Sequence, residues 1–215
     1  MKVLITGTSK GIGKAIAQKF LSLGHTVVGF DINPEQIIND DYEHIVCDIS
    51  SDFLPVIEGV DILINNAGVQ DSGHDIDVNL KGTMRVTEKY GVREGIKSVL
   101  FIASASASTG AEFPEYVAAK GGIVSYMKNV ALRLAPLGAT ANSLSPGGVY
   151  TSLNDRVIND RKMWNKIMKL TPLKKWATAE EIAEFAYFMT VVNKSMTAQD
   201  ILVDNGEAAK AEFVW

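Results

Sequence analysis

The chain has 215 residues, a formal net charge of −4, three histidines and one cysteine. At about 100–200 residues per domain this length suits one large domain, and 47% hydrophobic residues exclude a disordered protein. The negative charge provides no basic footprint for nucleic acid. Cys47 alone makes no internal disulfide, and the few His and Cys leave little for a metal site. The apolar runs, of about five residues, are far shorter than the roughly 20 of a membrane helix, so we expect a cytoplasmic protein with no nucleic-acid, membrane or metal partner.

Short runs rich in Val, Ile and Leu alternate with longer stretches that have helical spacing. Near-continuous apolar strands separated by helices are typical of a parallel sheet that is covered on both faces. The right-handed crossover rule then predicts an α/β fold, a single doubly wound Rossmann-like domain over residues 1–215 with about seven strands. The predicted strands are residues 2–5, 26–30, 44–47, 60–64, 98–103, 140–144 and 201–203.

Three helices carry their own end signals. A first helix over residues 12–23 ends before Gly24, which stands at the position after a helix where glycine is favoured. The longest helix lies within 111–134, begins near Pro114 and is ended by Pro136. A capping box over residues 178–181 predicts the start of a third helix.

A glycine-rich turn, G-x-x-x-G-x-G, joins the first strand to the first helix. Such a turn offers free N–H groups and the positive end of a helix dipole to a pyrophosphate. The spacing differs from the more common G-x-G-x-x-G, and a plain tight turn is the alternative interpretation. The residues of the turn that we predict to bind a dinucleotide are Gly7, Ser9, Lys10, Gly11, Ile12 and Gly13.

Asp31 ends the second strand, about 20 residues beyond the glycines, where a carboxylate can accept hydrogen bonds from ribose hydroxyls. The same charge would repel a 2′-phosphate by roughly 1–4 kcal/mol, which favours NAD over NADP. Lys10 favours NADP instead, because a cation in the turn could reach that phosphate. A turn-forming aspartate and a solvated lysine are the alternatives.

Tyr116 and Lys120 stand four residues apart on the long helix, so they share one face. A free phenol has a pKa of about 10 and is a poor acid or base at neutral pH. A neighbouring ammonium stabilises the phenolate and lowers that pKa. An exposed helix pair without function is the alternative interpretation of this spacing alone.

Together with motifs elsewhere in the chain, these residues resemble the short-chain dehydrogenase/reductase family, in a shortened form, from Lys2 to about Gly206. The glycine turn resembles the cofactor turn of the family. Further residues that match its cofactor motifs are Asp48 and Ile49 after the third strand, Asn66, Ala67 and Gly68 after the fourth, and Pro146, Val149 and Thr151 after the sixth. Those that match its catalytic set are Asn79, Ser104, Tyr116 and Lys120.

The resemblance implies an oxidoreductase that transfers a hydride between NAD(H), with NADP as the alternative cofactor, and a secondary alcohol or ketone. Tyr116 would be the general acid or base. Lys120 would lower the pKa of that phenol and bind the nicotinamide ribose, Ser104 would bind the substrate oxygen, and Asn79 would hold a water beside Lys120. Ser106 is an alternative to Ser104, Asp48 could instead form a turn, and Asn79 could be a polar residue inside a helix.

Two other functions remain open. A dinucleotide-binding regulatory or scaffold protein without turnover would keep the fold, although it would not need Tyr116 with Lys120. An isomerase or dehydratase of the related extended type ranks last, because the chain has no large C-terminal substrate domain.

The chain departs from the family in several places. The stretches from Asp31 to Asp48 and from Gly68 to Asn79 are short, so we expect little room for helices there and some exposed apolar surface. The closing motif has Asn205 where a second glycine is more usual. Residues 152–175 resemble an amphipathic substrate lid, with packing on the core as the alternative. The family often forms tetramers, so we expect a homo-oligomer, a dimer or tetramer, with residues 208–215 docked on a neighbouring subunit.

Overall fold

Seven strands form one parallel sheet in the computed structural model, which describes residues 1–111 and 113–209. The strand order is β3-β2-β1-β4-β5-β6-β7, so the predicted doubly wound α/β fold is confirmed. Of the predicted docking segment 208–215, residues 210–215 lie outside the described residues. The strands are β1 (Lys2–Thr6), β2 (Thr26–Asp31), β3 (Tyr42–Val46), β4 (Ile62–Asn65), β5 (Ser98–Ile102), β6 (Thr140–Pro146) and β7 (Asp200–Val203).

The helices cover both faces of this sheet, as predicted. The end signals act as expected: Gly24 takes φ +75° after the first helix, the long helix starts at Pro114, and Thr178 and Glu181 form a complete capping box. The helices are α1 (Gly11–Ser22), α2 (π-helical Ile76–Gly82, α-helical Thr83–Val86 and π-helical Thr87–Gly91), α3 (Ser106–Thr109), α4 (Pro114–Leu134), α5 (Asp155–Ile158), α6 (Arg161–Leu170) and α7 (Ala179–Tyr187).

Successive residues of each strand enter opposite layers of the core. In β1, Val3 and Ile5 join the apolar cluster beneath α1 and α7, whereas Leu4 joins the cluster beneath α2 and α4. All three side chains are fully buried. This explains why the strands read as continuous apolar runs: both faces of the sheet are covered.

No helix follows β2, as the short stretch from Asp31 to Asp48 predicted, and none follows β3 before β4 begins. In place of a helix after β3, side chains of α2 hold an extended segment by its carbonyl groups. Arg85 donates to the carbonyls of Ile49 and Ser50 at 3.1 and 3.0 Å, and Lys89 and Tyr90 donate to those of Leu54 and Pro55. These bonds satisfy backbone groups that a helix would otherwise pair.

The missing helices leave apolar side chains exposed beside the edge strand β3. Val46 is 68% exposed, Phe53 79% and Val56 80%. The expected exposed apolar surface is therefore confirmed, while its covering by a partner subunit stays a prediction. Among the described residues, no helix combines the length and the apolar character needed to cross a bilayer.

Candidate active site

The glycine-rich turn lies at the carboxyl end of β1, which has β2 on one side and β4 on the other. This is the point of the sheet where the strand order reverses and where open α/β sheets bind ligands. Gly7 and Gly11 have φ of +77° and +57°, in the left-handed region. A Cβ on Gly13 would lie 2.0 Å from the Gly7 carbonyl oxygen, so α1 packs directly on the turn.

The first turn of α1 suits an anion such as a pyrophosphate. Lys10, at the N-cap, makes no side-chain cap, and no acidic residue stands in the first helical turn. The first N–H groups of an α-helix have no partner within the helix, and the dipole adds positive charge there. The residues present therefore fit the phosphates of a dinucleotide.

The segment after β4 is tied to this turn. Asn66 Nδ2 donates to the carbonyls of Thr6 and Gly7 at 3.0 and 3.1 Å. Thr6 Oγ1 accepts from the N–H groups of Asn66 and Ala67, both at 3.0 Å. These bonds tie the ends of β1 and β4 together at the glycine-rich turn. Thr6 was not among the predicted residues, although its place at the strand end was a signal.

Asp31 lies beside the turn, as predicted, but its carboxylate already has partners there. Oδ2 accepts from the Ser9 N–H at 2.9 Å, and Oδ1 accepts from both the N–H and the Nδ2 of Asn33 at 2.9 Å. Burial raises the pKa of Asp31, but these hydrogen bonds outweigh it and hold the pKa below its usual value. The group stays charged, and its bond to the Asn33 N–H, two residues on, forms the turn that was the alternative interpretation of Asp31.

A second contact fixes the turn from the edge strand. The Tyr42 hydroxyl lies 2.8 Å from Thr8 Oγ1 and 2.9 Å from His44 Nδ1. A Cβ on Gly29 would lie 2.2 Å from that hydroxyl, so only glycine lets Tyr42 reach across β2. Burial raises the pKa of Tyr42. The glycine within an apolar strand was the only sequence signal for this contact.

Asp48 forms the turn that was its alternative interpretation. Its Oδ1 accepts from the N–H and Oγ of Ser50 at 2.8 and 2.7 Å. Ile49 is buried, with its side chain 3.1 Å from where a Cβ of Gly82 would be. The exposed Asp48 carboxylate is therefore the side chain of this pair that a ligand can reach, and the adenine contact stays a prediction. Cys47 beside it is buried, as expected, and burial raises the pKa of its thiol.

Tyr116 and Lys120 lie on one face of α4, as their spacing predicted. Lys120 Nζ lies 5.6 Å from the centroid of the Tyr116 ring and donates to the carbonyl of Ile102 at 2.9 Å. Lys120 is buried, whereas Tyr116 is half-buried. A Cβ on Gly68 would lie 3.6 Å from Lys120 Nζ, so this pair adjoins the segment after β4.

Asn79 stands close to Lys120 but makes its side-chain bonds elsewhere. Its Oδ1 accepts from the Val69 N–H and its Nδ2 donates to the Val69 carbonyl, both at 2.8 Å. Its Oδ1 is 3.0 Å from where a Cβ of Gly68 would be. Asn79 is fully buried within the π-helical first part of α2, a form that is frequent at functional sites. The side chain thus holds the segment that follows Gly68, and its predicted water stays untested.

Ser104 follows β5 and lies next to Ser106. The Oγ of Ser104 accepts from the N–H of Ser106 at 3.2 Å and from its Oγ at 2.9 Å. Ser104 is 8% exposed and Ser106 is 2% exposed. Of the two hydroxyls, Ser104 is the more accessible.

The loop after β6 packs on both the turn and the residues beyond α6. Thr151 Cγ2 lies 3.4 Å from where a Cβ of Gly11 would be, and Trp176 lies 2.0 Å from where one of Gly148 would be. Val149 pairs with Ala177 in a short parallel bridge, and its carbonyl accepts from Asn154 Nδ2 at 2.9 Å. The side chain of Thr151 therefore lies beside the glycine-rich turn, and backbone pairing with Ala177 holds the nearby Val149.

The segment 152–175 forms two helices, α5 and α6. The N-cap Asp160 of α6 accepts from the N–H groups of Lys162 and Met163 at 2.9 and 3.0 Å. The α6 residue Trp164 lies 5.0 Å from Trp176 and 5.5 Å from Tyr150 between ring centroids. The predicted amphipathic helix is confirmed, and an aromatic cluster joins it to the loop after β6.

Comparisons with known proteins agree with this geometry. A family model described as enoyl-(acyl carrier protein) reductase matches residues 7–207. A 3-oxoacyl-(acyl-carrier-protein) reductase of Chlamydia pneumoniae is 31% identical, with 95% of this chain and 96% of the relative covered. A glucose 1-dehydrogenase of Gluconobacter oxydans is 26% identical, covering 99% and 93%.

A solved structure shows the same fold with a dinucleotide. It is a protein of Agrobacterium tumefaciens, described as a 2-deoxy-D-gluconate 3-dehydrogenase with bound NADP. It is 27% identical, with a TM-score of 0.87 and coverage of 97% of this chain and 96% of the other. The family match over residues 7–207, with relatives covered over nearly their whole length, shows that this chain belongs to the short-chain dehydrogenase/reductase family of oxidoreductases.

Proposed function

We propose that the chain is an NAD-preferring oxidoreductase that interconverts a secondary alcohol and a ketone at Ser104, Tyr116 and Lys120. The observation that carries the proposal is the position of Lys120. Its buried ammonium is held by the Ile102 carbonyl, beside both the Tyr116 ring and Gly68. Burying a lysine is costly unless it has partners, and this one lies where the predicted cofactor and substrate sites meet.

The cofactor would lie across the carboxyl edge of the sheet. The uncapped N-terminus of α1 supports binding of its phosphates, and the charged Asp31 supports the preference for NAD. The dinucleotide supplies or accepts the hydride when it is bound. The residues proposed to hold it are Gly7, Ser9, Lys10, Gly11, Ile12, Gly13, Asp31, Asp48, Ile49, Asn66, Ala67, Gly68, Tyr116, Lys120, Pro146, Val149 and Thr151.

The chain's own groups would move the proton. In reduction, Tyr116 donates its phenolic proton to the ketone oxygen, and in oxidation it takes the proton of the alcohol. The Lys120 ammonium stabilises the phenolate that remains after donation. Ser104 donates a hydrogen bond to the same substrate oxygen, where negative charge develops. Asn79 fixes the segment beside Lys120 through its two bonds to Val69.

The substrate would enter beneath residues 152–175, which we propose as the lid. Half-buried Met163, Trp164, Ile167 and Met168 form one side of α6, and they suit an apolar part of a substrate. We also propose a homo-oligomer, in which a second subunit covers the exposed apolar side chains beside β3.

Turnover of a small panel tests the proposal. The panel contains ethyl acetoacetate with NADH or NADPH, and D-glucose with NAD or NADP. The first pair represents the 3-oxoacyl reductase among the relatives, and the second represents the glucose dehydrogenase. The change in reduced dinucleotide is followed for wild type, for Tyr116→Phe and for Tyr126→Phe, a tyrosine of the same helix whose hydroxyl contacts Glu88. We expect Tyr116→Phe to lose about 100-fold or more of the wild-type rate, in line with the contribution of general acid–base catalysis, and Tyr126→Phe to lose little.

Equal rates for wild type and Tyr116→Phe would overturn the proposed mechanism. A wild type that binds NADH but turns over no member of the panel would instead favour the dinucleotide-binding protein without turnover.

A further inference from the structure

Ser106 lies directly behind Ser104, at the start of α3. It donates twice to Ser104 Oγ, through its backbone N–H at 3.2 Å and through its own hydroxyl at 2.9 Å. Ser106 is 2% exposed, so its hydroxyl is turned into the protein. The family motif and the proposed mechanism use Ser104 and leave this second hydroxyl without a role.

The two bonds determine what Ser104 can do. A hydroxyl group has one proton to donate and two lone pairs that accept. Because Ser106 donates to Ser104 Oγ twice, both lone pairs are engaged. The proton of Ser104 is then directed away from Ser106, and Ser104 is held as a hydrogen-bond donor.

A fixed donor is what the proposed reaction needs at this position. Negative charge develops on the substrate oxygen as a ketone is reduced, and a donor aimed at it in advance costs no reorganisation. A hydroxyl that already accepts hydrogen bonds is also a better donor, since chains of hydrogen bonds polarise one another. Without Ser106, the Ser104 hydroxyl could rotate and spend part of its time as an acceptor.

We propose that Ser106 is a positioning residue, whose hydroxyl fixes that of Ser104 as a donor to the substrate oxygen. This inference rests on the proposed function. Ser106 does not touch the substrate, since its hydroxyl faces Ser104 and the protein interior. It acts only through the Ser104 oxygen.

The substitution Ser106→Ala isolates the hydroxyl. It keeps the backbone N–H bond to Ser104, and alanine favours helix. We expect kcat for ethyl acetoacetate reduction to fall about 10-fold, less than the 10²–10³-fold cost of removing a direct oxyanion donor. The Kd of NADH, the KM and the melting temperature should stay unchanged. Ser108→Ala, which removes an exposed hydroxyl bonded to the Ala105 carbonyl on the same helix, is the matched control and should leave kcat unchanged.

A double-mutant cycle distinguishes positioning from a general structural effect. If Ser106 acts only through Ser104, Ser104→Ala and the double variant should have the same kcat within about twofold, because sites in one network are not additive. Multiplied losses in the double variant would overturn the proposal. So would a Ser106→Ala enzyme with the wild-type kcat.

A crystal structure with bound NADH tests the geometry without any turnover. The two Oγ atoms should lie within hydrogen-bond distance, and a separation beyond about 3.5 Å would overturn the inference. Failure of the proposed function would look different, because Ser104→Ala and Tyr116→Phe would then both keep their activity.

Discussion

The ammonium of Lys120 donates a hydrogen bond to the carbonyl oxygen of Ile102, the last residue of β5, at 2.9 Å. This bond joins α4 to the carboxyl end of β5 and fixes the direction of the lysine side chain. Since the same Nζ lies 5.6 Å from the Tyr116 ring centroid, the strand end determines where the positive charge stands relative to the phenol. The helix alone would leave that charge free to move into solvent.

Lys120→Met should therefore lower kcat by about 100-fold, comparable to the loss of a positioned charge in other active sites. The methionine removes the charge that favours the phenolate, so the pH dependence of alcohol oxidation should move to higher pH. Lys128→Met, at an exposed position of the same helix, is the control. Steady-state rates over a pH series measure both effects, and an unchanged profile for Lys120→Met would contradict the assigned role.

Asp31→Asn should relax discrimination between the two cofactors. The substitution removes a charge that would repel a 2′-phosphate by roughly 1–4 kcal/mol, so the ratio of kcat/KM for NADP to that for NAD should rise about 10-fold or more. Asp48→Asn removes a charge near the proposed adenine site and should change the ratio by less than about twofold. An unchanged ratio in Asp31→Asn would mean that another residue, such as Lys10, determines the cofactor preference.

Gly13→Ala should destabilise the protein and weaken NADH binding. Its Cβ would lie 2.0 Å from the carbonyl oxygen of Gly7 and 2.4 Å from Nδ2 of Asn66. Relief of that overlap requires the turn to shift, at about 1–3 kcal/mol or more. Gly121→Ala, whose Cβ would lie 4.0 Å from the Ala107 carbonyl oxygen, should be neutral or stabilising by up to about 1 kcal/mol. Urea unfolding and NADH titration compare the two variants, and equal stability would refute the packing argument.

His25 should make the free energy of unfolding depend on pH. Burial lowers the pKa of His25, and the nearby N-terminal amine lowers it further. No hydrogen-bond partner for its Nδ1 is found among residues 1–111 and 113–209. A base with a lowered folded pKa stays neutral in the fold, while the unfolded chain takes up a proton near pH 6.5. The contribution of His25 to stability is thus complete above about pH 6.5 and declines as the pH falls towards the lowered folded pKa.

His25→Phe keeps a ring beside Phe20 and Tyr187, whose centroids lie 5.4 and 5.9 Å from that of His25. This variant should lose part of the pH dependence between about pH 7 and 5, measured by denaturant unfolding. His74→Asn, at an exposed position, should keep the wild-type dependence. If His25→Phe also keeps the wild-type pH dependence of the free energy of unfolding, a group other than His25 causes that dependence.

The closing motif has an asparagine in a backbone conformation that usually favours glycine. Asn205 replaces the more usual glycine and has φ +56°, the left-handed region that asparagine tolerates better than most residues. Asp204 stabilises the same turn by accepting from the N–H groups of Gly206 and Ala208 at 2.9 and 2.7 Å. Asn205 therefore occupies a backbone conformation that glycine favours.

Local patterns in the sequence were enough to predict the fold class, the strands and the faces of the helices. Apolar periodicity, the Gly24 stop and the capping box at Thr178 act over a few residues, so they can be read without knowing what lies nearby in space. The spacing of Tyr116 and Lys120 belongs to the same kind of information, because one helical turn places them on one face.

Contacts between distant segments could be seen only in the folded protein. The bond between Asp31 and the Ser9 N–H, and the reach of Tyr42 across Gly29 to Thr8, depend on where separate strands end in space. The short stretch after Asp31 predicted exposed apolar surface beside β3. It did not show that side chains of α2 bind the segment after β3. Long-range partners are set by packing of the whole sheet, and no local pattern encodes them.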